Sequence, residues 1–490
     1  MEVEESAIVI GSGMAGLTAA ALLAREGLKP LVLEQNWMAG GCSGTYWRKG
    51  FWFETGATTL VGLGDGMPVQ RLLDELGIQL NAERLAVPMQ VYLDGQRITR
   101  HEHLEAWIQE AEKVFGKAGQ RAFWEYCYKI ADLVWRTSLK QLQFPPDAAS
   151  DFLGMLKGFR WEQLNALPAA FQQMDELLAR FDLQQNSRFV RFVNEQLLIT
   201  AQNRMEEVNV LFGATALCYT NFPNWYLPGG MRTLVNTLVE YIQSYGGRFH
   251  FREGVKHIHR IGKTHCVETE KAKYRSPIVL SSIPQNNLAQ LAPEYYPPSK
   301  QTSLLLSESL NSAFQLGIGF EPQRDYDCLH HQIHLNTPLP ELKSASIFLS
   351  LHPANDLERA EAGLMAASVS THWPDPERLR VDDRELLENA VLDALETHQL
   401  IYRRNIRYLH SSGPASWEKW TGRAWGFVGG YPQFKRIKPW QMASARVHGK
   451  GFYRCGDSTY PGQGIPGVTL SGLIAYQKIA VDYKLSRLKV

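Results

Sequence analysis

The chain has 490 residues and a formal net charge of +1, from 51 Lys and Arg against 50 Asp and Glu. A nucleic-acid-binding protein needs a concentrated basic face, and no long run of Lys or Arg occurs, so nucleic acid is excluded as a partner. A hydrophobic fraction of 44 % excludes a disordered chain, and the length predicts two domains or one large composite domain.

The six cysteines are scattered along the sequence without a C-x-x-C pair. Neither a zinc site nor a disulfide framework is therefore expected, and no bound metal is predicted. This cysteine usage favours a reducing, cytoplasmic compartment. No charge-free apolar run reaches the ~18 residues that a membrane-spanning helix needs, so we expect any contact with a membrane to be peripheral.

Residues 6–34 predict a strand, a tight turn, a helix and a second strand, which together form a βαβ unit. The turn has the complete G-x-G-x-x-G pattern, formed by Gly11, Ser12, Gly13, Met14, Ala15 and Gly16. Gly11 would allow the turn, Gly13 would let the backbone approach a pyrophosphate, and Gly16 would permit close packing of helix on strand. Glu34 would end the second strand and accept hydrogen bonds from an adenosine ribose, which disfavours NADP.

A second glycine-rich stretch follows Glu34 and suits the far half of a long dinucleotide. Its paired glycines would again allow a ligand to approach the backbone closely. The residues concerned are Gly40, Gly41 and Ser43, followed by Gly56, Ala57, Thr58 and Thr59. Glu54 precedes the second group, and we interpret it as a solvated or salt-bridged carboxylate rather than as a catalytic base.

Residues 101–203 predict an amphipathic helical region, with aromatic and aliphatic side chains at three- and four-residue steps over residues 152–193. For any single residue, such a stripe predicts core packing. Phe159 and Trp161, beside Lys157, also fit a helix that lies in a membrane interface. We therefore expect the aromatic part of this region, up to Phe192, to supply a surface that touches lipid.

The chain is then predicted to return to the dinucleotide-binding sheet. A turn and a helix are expected over residues 226–241, and residues 246–258 and 274–282 predict strands of that sheet. Residues 311–370 alternate strongly, as antiparallel strands of a second domain would, and residues 381–397 predict another helix.

Three histidines, His330, His331 and His334, lie in one of these predicted strands. Period-two alternation places His330 and His334 on one face and His331 on the other, and no cysteine or acid completes a metal site. We predict surface or interface positions for all three.

Near the C-terminus, a strand is expected to end at Gly456 and Asp457, and a helix opens near Gly467 and Val468. Asp457 would accept hydrogen bonds from the ribityl hydroxyls of a flavin. The N–H groups of Gly467 and Val468 would meet the flavin pyrimidine carbonyl and stabilise negative charge on the reduced ring. The two ends of the chain therefore predict one shared cofactor site.

These motifs resemble those of the FAD-dependent phytoene desaturase and carotenoid isomerase family, within the amine-oxidase-like flavoproteins. The stretches that carry the resemblance are AIVIGSGMAGLTAAALL with Glu34, GGCSGTYWRKGFWFETGATTL, YLPGGMRTLVNTL, residues 417–430 and CGDSTYPGQGIPGVTLSG. The resemblance implies an α/β fold with a Rossmann-type FAD-binding domain, a mixed-sheet substrate domain and a helical insert. It also implies FAD contacts at Gln35 and Val255.

The same resemblance divides the chain into segments. The FAD-binding domain takes residues 1–100, 226–300 and 441–490, the helical substrate-binding and membrane-associated region takes 101–225, and the substrate domain takes 301–440. The implied substrate is a hydrophobic polyene, a polyisoprenoid or carotenoid, reached from a membrane surface. Quinone or oxygen is the implied electron acceptor.

Removal of hydrogen from an unactivated C–C bond needs a hydride acceptor, which no side chain provides, so a flavin would carry that step. Residues 56–60 and 464–467 look nearer to the desaturases, and we predict FAD-dependent desaturation. The same family contains redox-neutral cis–trans isomerases that use reduced FAD, which is the first alternative. The second is a non-catalytic prenyl-binding escort protein, against which the complete segment 456–472 argues. No proton acceptor and no catalytic residue are assigned.

Overall fold

The computed structural model of the protein describes residues 2–301 and 303–488. The strands are β1 Glu2–Glu4, β2 Ile8–Ile10, β3 Leu31–Glu34, β4 Thr45–Arg48, β5 Phe51–Glu54, β6 Leu60–Val61, β7 Glu83–Arg84, β8 Met89–Leu93, β9 Gln96–Arg100, β10 Asn224–Tyr226, β11 Arg248–Phe251, β12 Val255–Ile261, β13 Thr264–Thr269, β14 Lys273–Ser276, β15 Val279–Ser281, β16 Asn311–Phe320, β17 His330–His334, β18 Ser346–Leu351, β19 Met365–Pro374, β20 Ile406–Ser412 and β21 Phe452–Arg454. The helices are α1 Met14–Arg25, α2 Pro68–Leu76, α3 Leu104–Phe115, α4 Gln120–Ser138, α5 Ala149–Gly158, α6 Met174–Arg180, α7 Ser187–Ala201, α8 Val210–Leu217, α9 Arg232–Ser244, α10 Gln285–Leu291, α11 Pro298–Gln301, α12 Arg384–Thr397, α13 Pro414–Thr421 and α14 Ile465–Tyr483.

A parallel sheet of five strands, in the order β11, β3, β2, β15, β21, forms around the predicted βαβ unit. Its short apolar strands are buried on both sides. Val9 and Val32 pack with α1, α9 and α14, whereas Ile8 and Leu33 face a second sheet. Full burial on two faces explains why these strands are continuous apolar runs instead of alternating ones. The prediction of an α/β, Rossmann-type domain is confirmed.

The second sheet, in the order β1, β14, β13, β12, covers one face of the parallel sheet. Ile258, Val267 and Tyr274 point inward and share a core with the parallel strands. The prediction that residues 246–258 and 274–282 all join the parallel sheet is therefore half right. β11 and β15 join it, but β12 and β14 belong to the covering sheet because a tight hairpin pairs β12 with β13.

A seven-stranded mixed sheet, in the order β20, β16, β19, β18, β17, β8, β9, forms the second domain. Its pairs are antiparallel except for β17 with β8, which confirms the alternation predicted over residues 311–370. Leu387, Val391 and Leu395 of α12 pack on one face of the sheet. β8 and β9 lie within the segment 1–100, whose assignment to the FAD-binding domain stays a prediction.

The helical region from α3 to α8 has its own aromatic core, in which Trp107, Trp124, Phe189 and Phe192 are fully buried. The rings of Trp107 and Trp124 meet edge to face, with their centroids 5.0 Å apart. We expected the aromatic stripe to touch lipid as far as Phe192. That expectation is wrong for the second half of the stripe, which packs in the core of the helical region.

The first half of the stripe, residues 152–171, differs because its large apolar side chains are exposed to solvent. Trp161 is 79 % exposed and Leu156 is 72 % exposed. We call this surface the apolar ridge, and it comprises Phe152, Leu153, Leu156, Phe159, Trp161, Leu164, Leu167 and Phe171. None of the helices within residues 2–301 and 303–488 has both the length and the apolar character needed to cross a bilayer.

Candidate functional site

The turn between β2 and α1 has the geometry that a dinucleotide site requires. Gly11 has a φ of +88°, and a Cβ on Gly16 would lie 2.4 Å from the carbonyl oxygen of Gly11, so glycine is needed at both positions. A Cβ on Gly13 would meet nothing within 4 Å, so that side of the turn is open. The Leu17 N–H donates to the Gly13 carbonyl, which leaves the preceding N–H groups of α1 without helical partners and suited to an anion.

Glu34, at the end of β3, stabilises this turn by hydrogen bonds. One carboxylate oxygen accepts hydrogen bonds from the backbone N–H of Ser12 at 2.9 Å and from its hydroxyl at 2.6 Å. The other oxygen accepts from the N–H of Asn36 at 2.8 Å. The carboxylate is nearly buried, and its remaining lone pairs are available to ribose hydroxyls.

Gln35 follows Glu34 at the end of β3, and the segment that leads into Val255 lies against it. The N–H of Glu253 donates to the backbone carbonyl of Glu34 at 2.9 Å, and a Cβ on Gly254 would lie 3.4 Å from the Cβ of Gln35. Gln35 is exposed and Val255 is half-buried. Both residues therefore lie near Glu34, and their contacts with the cofactor stay a prediction.

The second glycine stretch lies against the first. The N–H of Gly40 donates to the carbonyl of Ser12 at 2.9 Å, and Gly40 forms an isolated bridge with Gly13. A Cβ on Gly41 would lie 3.6 Å from the Cα of Gly13. Ser43 is buried, and its N–H donates to the Gly40 carbonyl at 2.9 Å. The two stretches form one glycine-lined cradle.

The segment from Gly56 to Thr59 continues from this cradle. The N–H of Ala57 donates to the carbonyl of Cys42 at 3.0 Å, and a Cβ on Gly56 would lie 2.9 Å from the same oxygen. The segment thereby stays within van der Waals contact of the second glycine stretch. Thr58 and Thr59 extend toward the seven-stranded sheet, where their hydroxyls meet Ser350 and His330.

The three histidines of β17 are buried, so their predicted surface or interface positions are wrong. One face of the sheet packs on α12 and the other meets the Thr58–Thr59 segment, and alternation alone does not reveal that both faces are covered. Burial lowers the pKa of His330 to about 3 and the pKa of His331 and His334 to about 4. All three rings are therefore neutral near pH 7.

Glu54, at the end of β5, is a salt-bridged carboxylate, as interpreted from the sequence. One oxygen lies 2.6 Å from an Nη atom of Arg359 and also accepts from the N–H of Met231 at 3.1 Å. The other accepts from the Thr45 hydroxyl at 2.8 Å. Burial raises the pKa of Glu54, and the Arg359 guanidinium opposes that rise. Both oxygens are engaged and the carboxylate is buried beside a guanidinium, so Glu54 holds three parts of the chain together.

The C-terminal motif meets the cradle through α14. A Cβ on Gly472 would lie 2.7 Å from the carbonyl of Ala15, so α14 packs closely on α1. The N–H of Gly456, whose φ is +117°, donates to the Ser471 hydroxyl at 3.0 Å. The N–H of Val468 donates to the carbonyl of Gly464 at 2.9 Å, so the helix already uses one of the two N–H groups expected to meet the flavin.

Asp457 has a partner that the sequence did not indicate. Its two carboxylate oxygens lie 2.8 Å and 2.6 Å from one Nη atom of Arg423, which is itself nearly buried. Arg423 also lies 3.9 Å from the Sγ atom of Cys42 and so connects the C-terminal motif to the second glycine stretch. An arginine within residues 417–430, one of the stretches that carry the family resemblance, was the available signal.

Ser282 is a second residue that sequence reasoning missed. It follows β15, the neighbour of β2 in the parallel sheet, and its hydroxyl donates to the carbonyl of Gly11 at 2.8 Å. Ligand sites in such sheets form at the carboxyl ends of the strands. The Ser-Ser pair at the end of a short apolar run was therefore a usable signal.

A comparison with known families decides the class of this site. The family described as flavin containing amine oxidoreductase matches residues 14–480 of the chain. The chain belongs to this family. The predicted resemblance and the prediction of an enzyme are confirmed with it, since members of this flavin-dependent family include named enzymes related along the whole chain.

Two relatives and one solved structure show how this flavin family member compares with known proteins. It is 24 % identical to prolycopene isomerase 2, chloroplastic, of an Oncidium hybrid cultivar, over 98 % of this chain and 84 % of the relative. It is 27 % identical to the all-trans-retinol 13,14-reductase of Danio rerio, over 65 % of this chain and 54 % of the relative. A solved putrescine oxidase double mutant superposes with a TM-score of 0.67 at 12 % identity, covering 99 % and 100 % of the two chains, and supports the fold.

The residues present fit the flavin that membership of the amine oxidoreductase family implies. The open side of Gly13, the unpaired N–H groups at the start of α1 and the Glu34 carboxylate match a pyrophosphate followed by a ribose. Asp457 is less suited to the ribityl hydroxyls predicted for it, because its carboxylate is already paired with Arg423. Bound flavin would supply the hydride or electron chemistry that no side chain can provide.

Proposed function

We propose that the protein is an FAD-dependent enzyme that acts on a polyisoprenoid polyene at a membrane surface, and that cis–trans isomerisation is the reaction its residues support best. This differs from the desaturation favoured by the motifs at residues 56–60 and 464–467. The relatives named prolycopene isomerase match 98–99 % of this chain. The names of these relatives, and the share of this chain that they match, support a polyene substrate.

FAD is proposed as the flavin because the cradle is built for a dinucleotide. The two glycine stretches lie side by side, and Glu34 stands next to them at the position of a ribose-binding acid. The proposed contacts are Gly11, Ser12, Gly13, Met14, Ala15, Gly16, Glu34, Gln35, Gly40, Gly41, Ser43, Gly56, Ala57, Thr58, Thr59, Val255, Gly456, Asp457, Gly467 and Val468.

We choose isomerisation because the Glu54 carboxylate is already bound by other residues of the chain. Desaturation removes a proton as well as a hydride, and it needs a base near the reacting carbons. The carboxylate of Glu54, four residues before Thr58 in the chain, is occupied by Arg359, Met231 and Thr45. Rotation about a double bond requires no net proton removal, so this closed carboxylate is compatible with an isomerase.

Desaturation is the second candidate because of His330. Its ring is neutral and buried, and its Nε2 atom lies 3.0 Å from the Thr59 hydroxyl. This imidazole is placed to take a proton relayed through that hydroxyl, although burial lowers its pKa to about 3 and so opposes its protonation. Quinone or oxygen is the acceptor proposed for the electrons if this second reaction is the correct one.

The apolar ridge supports the proposed membrane surface. Phe159 and Trp161 meet edge to face, with centroids 5.5 Å apart, and Lys157 and Arg160 are exposed beside them. Aromatic side chains next to basic ones are typical of helices that lie in the headgroup region. A substrate dissolved in the bilayer would enter from such a surface, which is why we propose peripheral attachment in a cytoplasmic compartment.

The experiment uses acyclic carotenoids of known geometry in liposomes. One arm contains oxidised holoprotein and a quinone, and the other contains reduced holoprotein without oxygen. The proposal predicts a product of unchanged mass, with altered geometry, in the second arm. A product two hydrogens lighter, formed only in the first arm, would replace isomerisation by desaturation. No change to any polyene in either arm would contradict the substrate class.

A further inference from the structure

The covering sheet presents a polar outer face on its hairpin. Ile258 and Val267 point into the core, so the residues that alternate with them point the other way. These outward residues are His257 and His259 on β12 and Cys266 and Glu268 on β13. The hairpin therefore gathers two imidazoles, a thiol and a carboxylate on one face of the sheet.

The strand register brings these groups within reach of one another. His259 lies directly opposite Cys266, and His257 lies directly opposite Glu268. The ligand atoms of His259, Cys266 and Glu268 all lie within 4.8 Å of one another. Cys266 is only 1 % exposed although it lies on the outer face, where Arg275 is its neighbour on the adjacent strand.

We propose that this hairpin binds one divalent transition metal ion, with zinc as the ion that its donors suit best, through His259, Cys266 and Glu268. Imidazole nitrogen, thiolate sulfur and carboxylate oxygen are the zinc donors of proteins, and around a tetrahedral ion they lie roughly 3–4 Å apart. Glu268 has a flexible side chain that can close the remaining distance. His257, beside Glu268, is the candidate fourth ligand.

The charges of the proposed ligands balance the charge of the ion. The Cys266 thiol loses one proton to solvent, and the thiolate and the Glu268 carboxylate neutralise the two charges of the ion without any oxidation or reduction. Lys273, whose Nζ atom lies 2.6 Å from Glu268, must move aside. It is mostly exposed and lies opposite Glu2 in the strand register, whose carboxylate already pairs with Arg275 and would be shared by the two cations.

The site is independent of the proposed flavin chemistry, and no metal motif in the sequence indicates it. The donors come from two strands in the patterns H-x-H and C-x-E, and neither pattern indicates a metal by itself. Strand pairing alone makes them neighbours. This explains how a chain without a C-x-x-C pair, for which we expected no metal, still contains a mixed donor set.

The test is a metal titration of the full-length protein as purified, after removal of adventitious metal with a chelator. Calorimetry with Zn²⁺ should give one ion per chain. Co²⁺ should give tetrahedral d–d absorption at wavelengths longer than those that a flavin absorbs. His259→Gln and Cys266→Ser should each weaken Zn²⁺ binding at least about tenfold, the smallest loss typical of altered metal sites. His103→Gln, an exposed histidine in the helical region, is the matched control.

Lys273→Met adds a test that does not depend on the removal of a ligand. This variant frees Glu268 from its ammonium partner, so it should bind Zn²⁺ at least as tightly as the unaltered protein. Equal affinities for the unaltered protein and His259→Gln, an octahedral Co²⁺ spectrum, or no detectable Zn²⁺ binding would each overturn the proposal. His259 is half-buried, so its variant stays informative if Cys266→Ser fails to fold.

Discussion

The Nε2 atom of His330 lies 3.0 Å from the hydroxyl oxygen of Thr59. The Nδ1 atom of the same ring lies 2.9 Å from the Ser350 hydroxyl, which donates to Thr58 at 2.8 Å. This order of donors places the ring proton on Nδ1 and leaves Nε2 to accept from Thr59. One neutral imidazole on the second domain therefore fixes both threonine hydroxyls of the proposed flavin segment.

We expect His330→Leu to destabilise the fold by about 1–3 kcal/mol, because it leaves the partners of the ring without hydrogen bonds. His330→Gln should lose less, since its amide can both donate and accept. Urea unfolding, monitored by tryptophan fluorescence, measures the difference in the free energy of unfolding. If the two variants were equally stable, these hydrogen bonds would contribute nothing measurable.

The buried histidines also predict how stability depends on pH. The pKa of His334 is lowered by burial from 6.5 to about 4, so the unfolded chain binds the proton first as pH falls. The stability due to this neutral ring is fully present above pH 6.5 and decreases as pH falls toward 4. His334→Gln should therefore show a shallower loss of unfolding free energy over that range. A variant with the same slope as the unaltered protein would contradict the assigned pKa direction.

The Glu54–Arg359 pair should be intolerant of single changes. Arg359→Met leaves a buried carboxylate without its cation, and the expected cost is about 3–5 kcal/mol of unfolding free energy. The double variant with Glu54→Gln should recover part of that loss, because no buried charge remains. The comparison of the two by urea unfolding tests the pairing, and a loss below about 1 kcal/mol in Arg359→Met would show that the pair is not buried as described.

The apolar ridge should control attachment to lipid. Phe159→Ser with Trp161→Ser removes two aromatic side chains, each worth up to about 1.5–3 kcal/mol when fully buried in an apolar phase. We expect the fraction that floats with liposomes to fall sharply. Leu357→Ser, at another exposed apolar position, should float like the unaltered protein. Unchanged flotation of the double variant would contradict the proposal that the apolar ridge binds the membrane.

The sequence predicted those parts of the fold that depend on local pattern. The glycine turn from Gly11 to Gly16 and the acid at Glu34 carry their geometry within one βαβ unit, and the structure has them as expected. The partners of this unit could not be predicted in the same way. Arg359 and Arg423 reach the site from distant parts of the chain, and only the tertiary fold makes them neighbours of Glu54 and Asp457.

The histidines of β17 show a second limit. Alternation placed His330 and His331 on opposite faces, which is correct, but it carries no information on what covers each face. The helix α12 covers one face and the Thr58–Thr59 segment meets the other, so residues that would be exposed on an open sheet are buried. The hairpin of Cys266 has the opposite arrangement, with one face left outward.

The cofactor is the central claim, and its identity is the most direct measurement. Protein denatured by heat should release FAD, identified by chromatography, at one molecule per chain. Glu34→Ala should bind FAD more weakly by about 1.5–3 kcal/mol, the usual contribution of hydrogen bonds to a charged group. A colourless protein that takes up no FAD on reconstitution, or an unchanged FAD affinity in Glu34→Ala, would contradict the account.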